Sequence, residues 1–206
     1  MDGPPKPLTS RLGHWAAELL LVFLGAYAAF ALTNYQQHRA DIHRHDQLLA
    51  WLEQRMQDGL ENTRTDALKA DHQLAEFRRA LAAGEMPPLH PFSFTTDYSA
   101  SDTSSLLQSG GYEVLDIKTL MALHELESTI RWGLDRMMHY QKLSDELIWP
   151  NLDQDIAFFY DPATKQLRKR FAGYPDVLAD TAKFFHDLEN AKRQLLTQIQ
   201  VERKKR

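Results

Sequence analysis

The apolar and polar positions divide the chain into one continuous apolar block followed by a long series of amphipathic stretches. The block, residues 15–32, reads WAAELLLVFLGAYAAFAL, and Glu18 is its only charge. About 18 apolar residues suffice to cross a bilayer as a helix. With His14 and Thr33 as flanks, the pattern predicts a tail over 1–13 and a transmembrane helix over 14–33. No breaker follows. Residues 34–50 are rich in Gln, Arg, Ala and Leu, which favour helix, so the span is expected to run directly into the next helix.

Beyond the block, apolar residues recur at steps of three and four. Leu49, Leu52, Met56, Leu60, Thr63, Ala67, Ala70, Leu74, Phe77 and Leu81 form one seam, with an extra step of four at Met56 to Leu60. This predicts a long helix over 35–83, coiled-coil-like with a single stutter. Gly84, Pro87, Pro88 and Pro91 stop it. A loop over 84–101 follows, in which Phe92, Phe94 and Tyr98 alternate as if lying extended against the remainder. A short helix over 102–110 is expected, capped by Asp102 and closed by Gly110 and Gly111.

Asp116 is the expected cap of a helix over 116–149, whose apolar face is Ile117, Leu120, Leu123, Ile130, Leu134, Met137 and Leu147 or Ile148. Residues 150–174 read as irregular, with an aromatic patch at Phe158, Phe159 and Tyr160. The last helix, 175–203, carries Val177, Phe184, Leu188, Leu195 and Ile199. Amphipathic helices of this length bury one another's stripes most simply as a bundle. The expected fold is therefore all-α: a single N-terminal transmembrane helix continuing into a helical domain over 34–206, built from about three long helices plus short ones.

A cleaved signal peptide competes with the anchor, because Lys6 and Arg11 precede the apolar block and Ala29-Phe30-Ala31 resembles a cleavage site. Glu18 interrupts that block early, which favours the anchor. Arg39 and Arg44 follow the span together with Asp41 and Asp46, so the positive-inside count is nearly balanced. The short proline-containing tail is expected inside and the domain outside. Within the span, Glu18, Gly25, Ala29 and Thr33 share one narrow stripe at 100° per residue. Gly25 and Ala29 form a small-xxx-small pair of the kind that lets helices approach closely, which makes these four residues a candidate oligomer face. The bland reading of Glu18 is an anion near the helix start, favoured by the dipole and able to reach the interface.

Composition narrows the function classes. Of 206 residues, 43% are hydrophobic and 25% charged, and the net charge is -4. That argues for a folded domain and against a nucleic-acid partner, which calls for a basic face. Cysteine is absent, which excludes disulfides, thiolate metal sites and a cysteine nucleophile.

Histidine, with nine copies, is the residue type that could carry chemistry. His38, Asp41 and His45 lie on one helix face, but the two imidazoles are two turns apart and His43 adds no ligand face. His124, Glu127, Asp135 and His139 are the nearest approach to an acid–base or metal set. Helix faces with i, i+4 pairing explain both groups better. Ser109-Gly110-Gly111 lacks the strand and the Gly-Lys-Ser/Thr ending of a phosphate loop and reads as a helix cap. The basic runs 165–170 and 203–206 read as solvated, or as contacts for anionic lipid. No catalytic, cofactor or metal residue is assigned, and an enzyme is not expected.

Two segments carry a resemblance. One is 18–25, ELLLVFLG, continuing through Ala31-Leu32-Thr33-Asn34 into a charged helix with Arg39. The other is 106–115, LLQSGGYEVL, leading into the helix near Lys118. Over roughly the first two thirds of the chain, they resemble an uncharacterised family of single-pass bacterial envelope proteins, a domain of unknown function. The resemblance implies a bacterial membrane setting and no activity. The expectation is a structural or interaction module of the envelope. Its partners would be the bilayer and either copies of itself or an envelope protein, with the anchor in the inner membrane and the domain in the periplasm. The alternative is a ligand-sensing ectodomain that acts through a separate signalling partner.

Overall fold

The structure, a computed structural model, describes residues 8–92 and 115–205, with side chains at Trp15 and from Glu18 onward. Among the described residues it is all-helical, with one isolated bridge and no strand. Three long helices carry it: α1 (Leu8–Ala82), α2 (Ile117–Leu147) and α3 (Tyr174–Lys204). The chain forms two compact units, Met1–Gln47 and Leu48–Arg206. The boundary falls within α1, which is unbroken, as the helix-favouring composition of 34–50 predicts.

In the second unit the expected seam of α1 is buried at Leu49, Leu52, Met56, Thr63, Ala67, Ala70 and Phe77, and half-buried at Leu60, Leu74 and Leu81. Gly59 is half-buried beside Leu60, so the extra step of four is where two neighbouring positions share the interface. Contacts fix the helix directions. Glu53 meets Arg203, Asp71 meets His186, and Phe77 meets Tyr174, so this part of α1 is antiparallel to α3. Asp116 meets Lys205 and Arg136 meets Asp180, so α2 is antiparallel to α3 as well. Both therefore run in the same direction.

Gly84 ends α1. Its φ of +73° is open to glycine without strain. The N–H groups of Gly84 and Glu85 reach the carbonyls of Leu81 and Ala80, both at 3.0 Å, closing the helix end as a Schellman motif. The chain after it is pinned to the bundle. Tyr160 Oη donates to the Pro87 carbonyl (2.6 Å), Tyr174 Oη accepts from the His90 N–H (3.0 Å), and the Phe92 N–H donates to Ser144 Oγ (2.8 Å). Phe92 thus lies against the bundle, packed on the larger core cluster. Phe94, Tyr98, the 102–110 helix with Asp102, and Ser109-Gly110-Gly111 lie outside the described residues.

Two sequence expectations need correction. Asp116 occupies the N-cap position of α2 but makes no side-chain cap bond. Its carboxylate accepts from Lys205 Nζ (2.7 Å) instead, because an ammonium is a stronger donor than a neutral N–H. Ile117, placed on the apolar face of α2, is 69% exposed. The rest of that face holds: Leu123, Ile130, Met137 and Ile148 are buried and Leu120, Leu134 and Leu147 half-buried, and Thr119, Ala122, Leu126, Gly133, Tyr140 and Ser144 are buried with them. Of these, Gly133 lies directly against the Phe184 ring of α3.

The core has two clusters. The larger joins Leu49 and Leu52 of α1, Leu123, Leu126 and Met137 of α2, and Phe184, Leu188, Leu195 and Ile199 of α3. The smaller closes the other end of the bundle with Phe77, Leu89, Ile148, Phe159, Tyr160, Phe171 and Tyr174. The stretch expected to be irregular is three 3-10 turns and a tight reversal. Tyr160 bridges Leu167, and Asp161 Oδ1 accepts the N–H groups of Ala163 (2.9 Å) and Thr164 (3.0 Å). Those bonds hold the Asp161 carboxyl below the usual carboxylate range.

Candidate membrane anchor and interaction surfaces

Helix formation over 15–32 follows from its Leu, Ala and Phe content, yet none of the described side chains of this apolar stretch is buried. Phe23 is 74% exposed, and Leu21, Val22 and Phe30 are similar. A core helix of a folded domain hides its apolar face, so a helix apolar all round and buried nowhere has the profile of a membrane span. It is long and apolar enough to cross a membrane. Glu18, Gly25, Ala29 and Thr33 are all exposed on it. A Cβ at Gly25 would meet nothing within 4 Å, so the stripe is open for another helix. Thr33 Oγ1 donates to the Ala29 carbonyl (2.9 Å), so its proton is used within the helix.

The histidine groups do not assemble. His38, Asp41 and His43 are exposed, whereas His45 is 2% exposed, with Nδ1 3.4 Å from Asp46 Oδ1. His124, Asp135 and His139 are exposed on α2 and Glu127 is half-buried. Among the described residues no three His, Asp or Glu side chains could hold a metal ion. The basic runs have structural duties. Arg168 Nε donates to the Tyr160 carbonyl (2.8 Å), Arg203 pairs with Glu53, and Lys205 pairs with Asp116.

Two polar features escape a pattern reading. The first is Lys192, 8% exposed, whose ammonium donates to Thr63 Oγ1 (2.7 Å) and the Gly59 carbonyl (3.0 Å) of α1. Burial, reinforced by the Arg55 charge, lowers its pKa from 10.5 to about 8. Its signal was present in the sequence, because it lies four residues after Leu188 and three before Leu195, within the apolar stripe. The second is a network between α2 and α3. Tyr140 Oη and the Arg136 guanidinium both donate to Asp180, and Arg136 and Lys183 lie over the Trp132 ring at 5.3 and 5.8 Å. Burial pushes the Asp180 carboxyl up, but the Tyr140 and Arg136 hydrogen bonds outweigh it and hold the group below the usual carboxylate range. Burial and the same carboxylate raise the Tyr140 phenol.

A small cleft of about 70 Å³, partly open to solvent, lies where α2 and α3 meet the turn at Lys169–Phe171. Leu89, Leu143, Leu147, Ile148, Phe171 and Val177 make its walls mostly apolar. Comparison of the chain with protein-family models, curated proteins and solved structures finds no match.

Proposed function

We propose that this chain is a single-pass protein of the bacterial cell envelope, anchored by 14–33 in the inner membrane, with its helical domain serving as an oligomeric structural or interaction module in the periplasm. The exposure of every described side chain in the apolar stretch of α1 carries the reading. In water that surface would drive aggregation, and in a bilayer it is at home. The unbroken helix past Ala31 supports a retained anchor over a cleaved leader. The open stripe of Glu18, Gly25, Ala29 and Thr33 supports self-association, with Gly25 and Ala29 allowing close approach. The resemblance of 18–34 and 106–115 to single-pass envelope proteins supports the setting. The alternative, a ligand-sensing ectodomain with a separate signalling partner, is favoured by the small apolar cleft between α2, α3 and the Lys169–Phe171 turn.

Because the chain has no cysteine, one introduced thiol reports topology. Ala163→Cys lies in an exposed turn. A membrane-impermeant maleimide should label it in spheroplasts and not in inverted vesicles. The reverse pattern places the domain in the cytoplasm, and release of the labelled domain from washed membranes removes the anchor altogether. For self-association, Gly25→Ile with Ala29→Ile should abolish cross-linked dimers of the full chain in membranes. Unchanged dimers would move the contact off this stripe.

A further inference from the structure

On the side of the α2–α3 seam turned away from α1, the two helices form a solvent-open groove of about 410 Å³. Its placement follows from helix register. Lys192 of α3 reaches Thr63 of α1, whereas Asn190 and Gln194, each two positions from it, stand about 200° round the helix. Glu125, Ser128, Thr129 and Trp132 of α2 line the groove with them, and Ala191 is its buried floor. The polar groups here are unspent. Among the described residues the Ser128 and Thr129 hydroxyls, the Asn190 and Gln194 amides and the Glu125 carboxylate make no hydrogen bond or ion pair. Elsewhere the same two helices satisfy themselves. Thr181 and Thr197 donate to the carbonyl four residues back, Lys142 pairs with Glu146, and Arg193 pairs with Glu189. In the groove, only Lys183 and Asp187 are paired, with each other.

Hydroxyls and side-chain amides both donate and accept. A ligand that matches them carries many groups that do both, at short spacing. A hydrocarbon would strip water from these side chains and replace none of the bonds. An anion would meet the Glu125 carboxylate, which no cation of the groove neutralises. An extended peptide finds no main-chain partner, because both walls are helices whose backbone groups are bonded internally. The Trp132 ring, 44% exposed, closes one end. Arg136 and Lys183 lie over it at 5.3 and 5.8 Å and hold its plane. Its exposed part is an apolar wall that suits the C–H face of a sugar ring, whose hydrogens are drawn to the negative π-cloud.

We infer that this groove is a binding site for a neutral oligosaccharide, with one pyranose ring against Trp132 and its hydroxyls on Ser128, Asn190, Gln194 and Glu125. The groove's size lies within the range of roughly 300–1,000 Å³ typical of small-molecule sites. Past Glu125, Ser128 and Gln194 it continues toward the exposed side chains of Met121 and Ile117. A second ring, apolar on its faces and polar at its edge, follows the same line. The inference is independent of the anchor reading, since every residue in it lies in the second unit.

The test is saturation-transfer difference NMR on the full chain in lipid nanodiscs. The neutral probes are cellobiose, maltose and diacetylchitobiose, and digalacturonic acid is the charged control. Irradiation is placed on aromatic protons, which the lipids lack, so transfer reports sugar protons near a protein ring. At least one neutral probe should show saturable transfer, and digalacturonic acid none. Trp132→Ala should remove the transfer. Asn190→Ala with Gln194→Ala should raise the dissociation constant about tenfold, the scale of two hydrogen bonds. Both amides are exposed and bonded to nothing in the fold, so the helical signal of this double variant should equal the parent's. Absence of transfer to all the neutral probes overturns the inference. So does transfer that survives both sets of substitutions, or equal binding of digalacturonic acid. Displacement of the sugar by trialanine at the same concentration also overturns it, and assigns the groove to peptides.

Discussion

Replacing Gly133 by alanine sets two terms of opposite sign against each other. Helix propensity alone favours the change by about 1 kcal/mol, because alanine loses less backbone entropy in a helix interior than glycine. Packing opposes it. A Cβ at Gly133 would stand 1.9, 2.2 and 2.6 Å from three carbons of the Phe184 ring. Phe184 is 0% exposed in the centre of the larger core cluster, so the ring has no vacant space to enter. Restoring ordinary contact requires α2 and α3 to separate by roughly 1.5 Å, or the ring to leave its rotamer. Overpacking of this kind costs about 3 kcal/mol, at the upper end of its usual range. The net loss is therefore about 2 kcal/mol, or roughly 4–8 °C in Tm for a domain of this size. Thermal unfolding of the full chain in nanodiscs, followed by near-ultraviolet circular dichroism, reads it directly. Phe184→Leu should rescue part of the loss. The double variant is expected to be more stable than the sum of the singles by at least about 1 kcal/mol, because the new methyl occupies space the smaller side chain vacates. A Gly133→Ala variant as stable as the parent would refute the close approach of these helices.

Lys192→Met should stabilise the fold near neutral pH by on the order of 2–3 kcal/mol, since the lysine ionises near 8 in the fold against 10.5 when free. The Gly59 carbonyl still has the Thr63 hydroxyl at 2.8 Å when the ammonium is gone. The sign is set by linkage. Between about pH 8 and pH 10 the unfolded parent holds a proton that the folded one has shed, so parental stability rises with pH. Above that range Tyr160, raised to about 12 by burial, pulls the other way. Urea unfolding across this range should show the rise in the parent and not in Lys192→Met, and a rise in both would assign it to another group. Thr119 is 1% exposed with no partner for Oγ1 among the described residues. Thr119→Val should therefore gain about 1 kcal/mol by removing an unsatisfied hydroxyl, and a measured loss would mean that the hydroxyl is bonded.

The sequence by itself determined the elements. An uninterrupted apolar block, seams at steps of three and four, and Gly and Pro punctuation are local signals. They gave the α1 seam, the stop at Gly84, and the α3 stripe from Val177 to Ile199, because each depends on the residues of one helix alone. The aromatic patch at Phe158–Tyr160 was visible as well, though its use as the cap of a second core cluster was not. The inward face of α2 was legible too, at Leu123, Ile130 and Met137, and only the tertiary structure decided which other residues join it. Hydrophobicity favoured Ile117, which lies outside, whereas Gly133 lies inside against the Phe184 ring of α3. It also decided that Asp116 pairs with Lys205, that Lys192 is buried over Thr63, and that Arg170 stacks at the mouth of a cleft. Each of these depends on which residue of another element lies opposite, and periodicity along one helix carries no information about its partner's register.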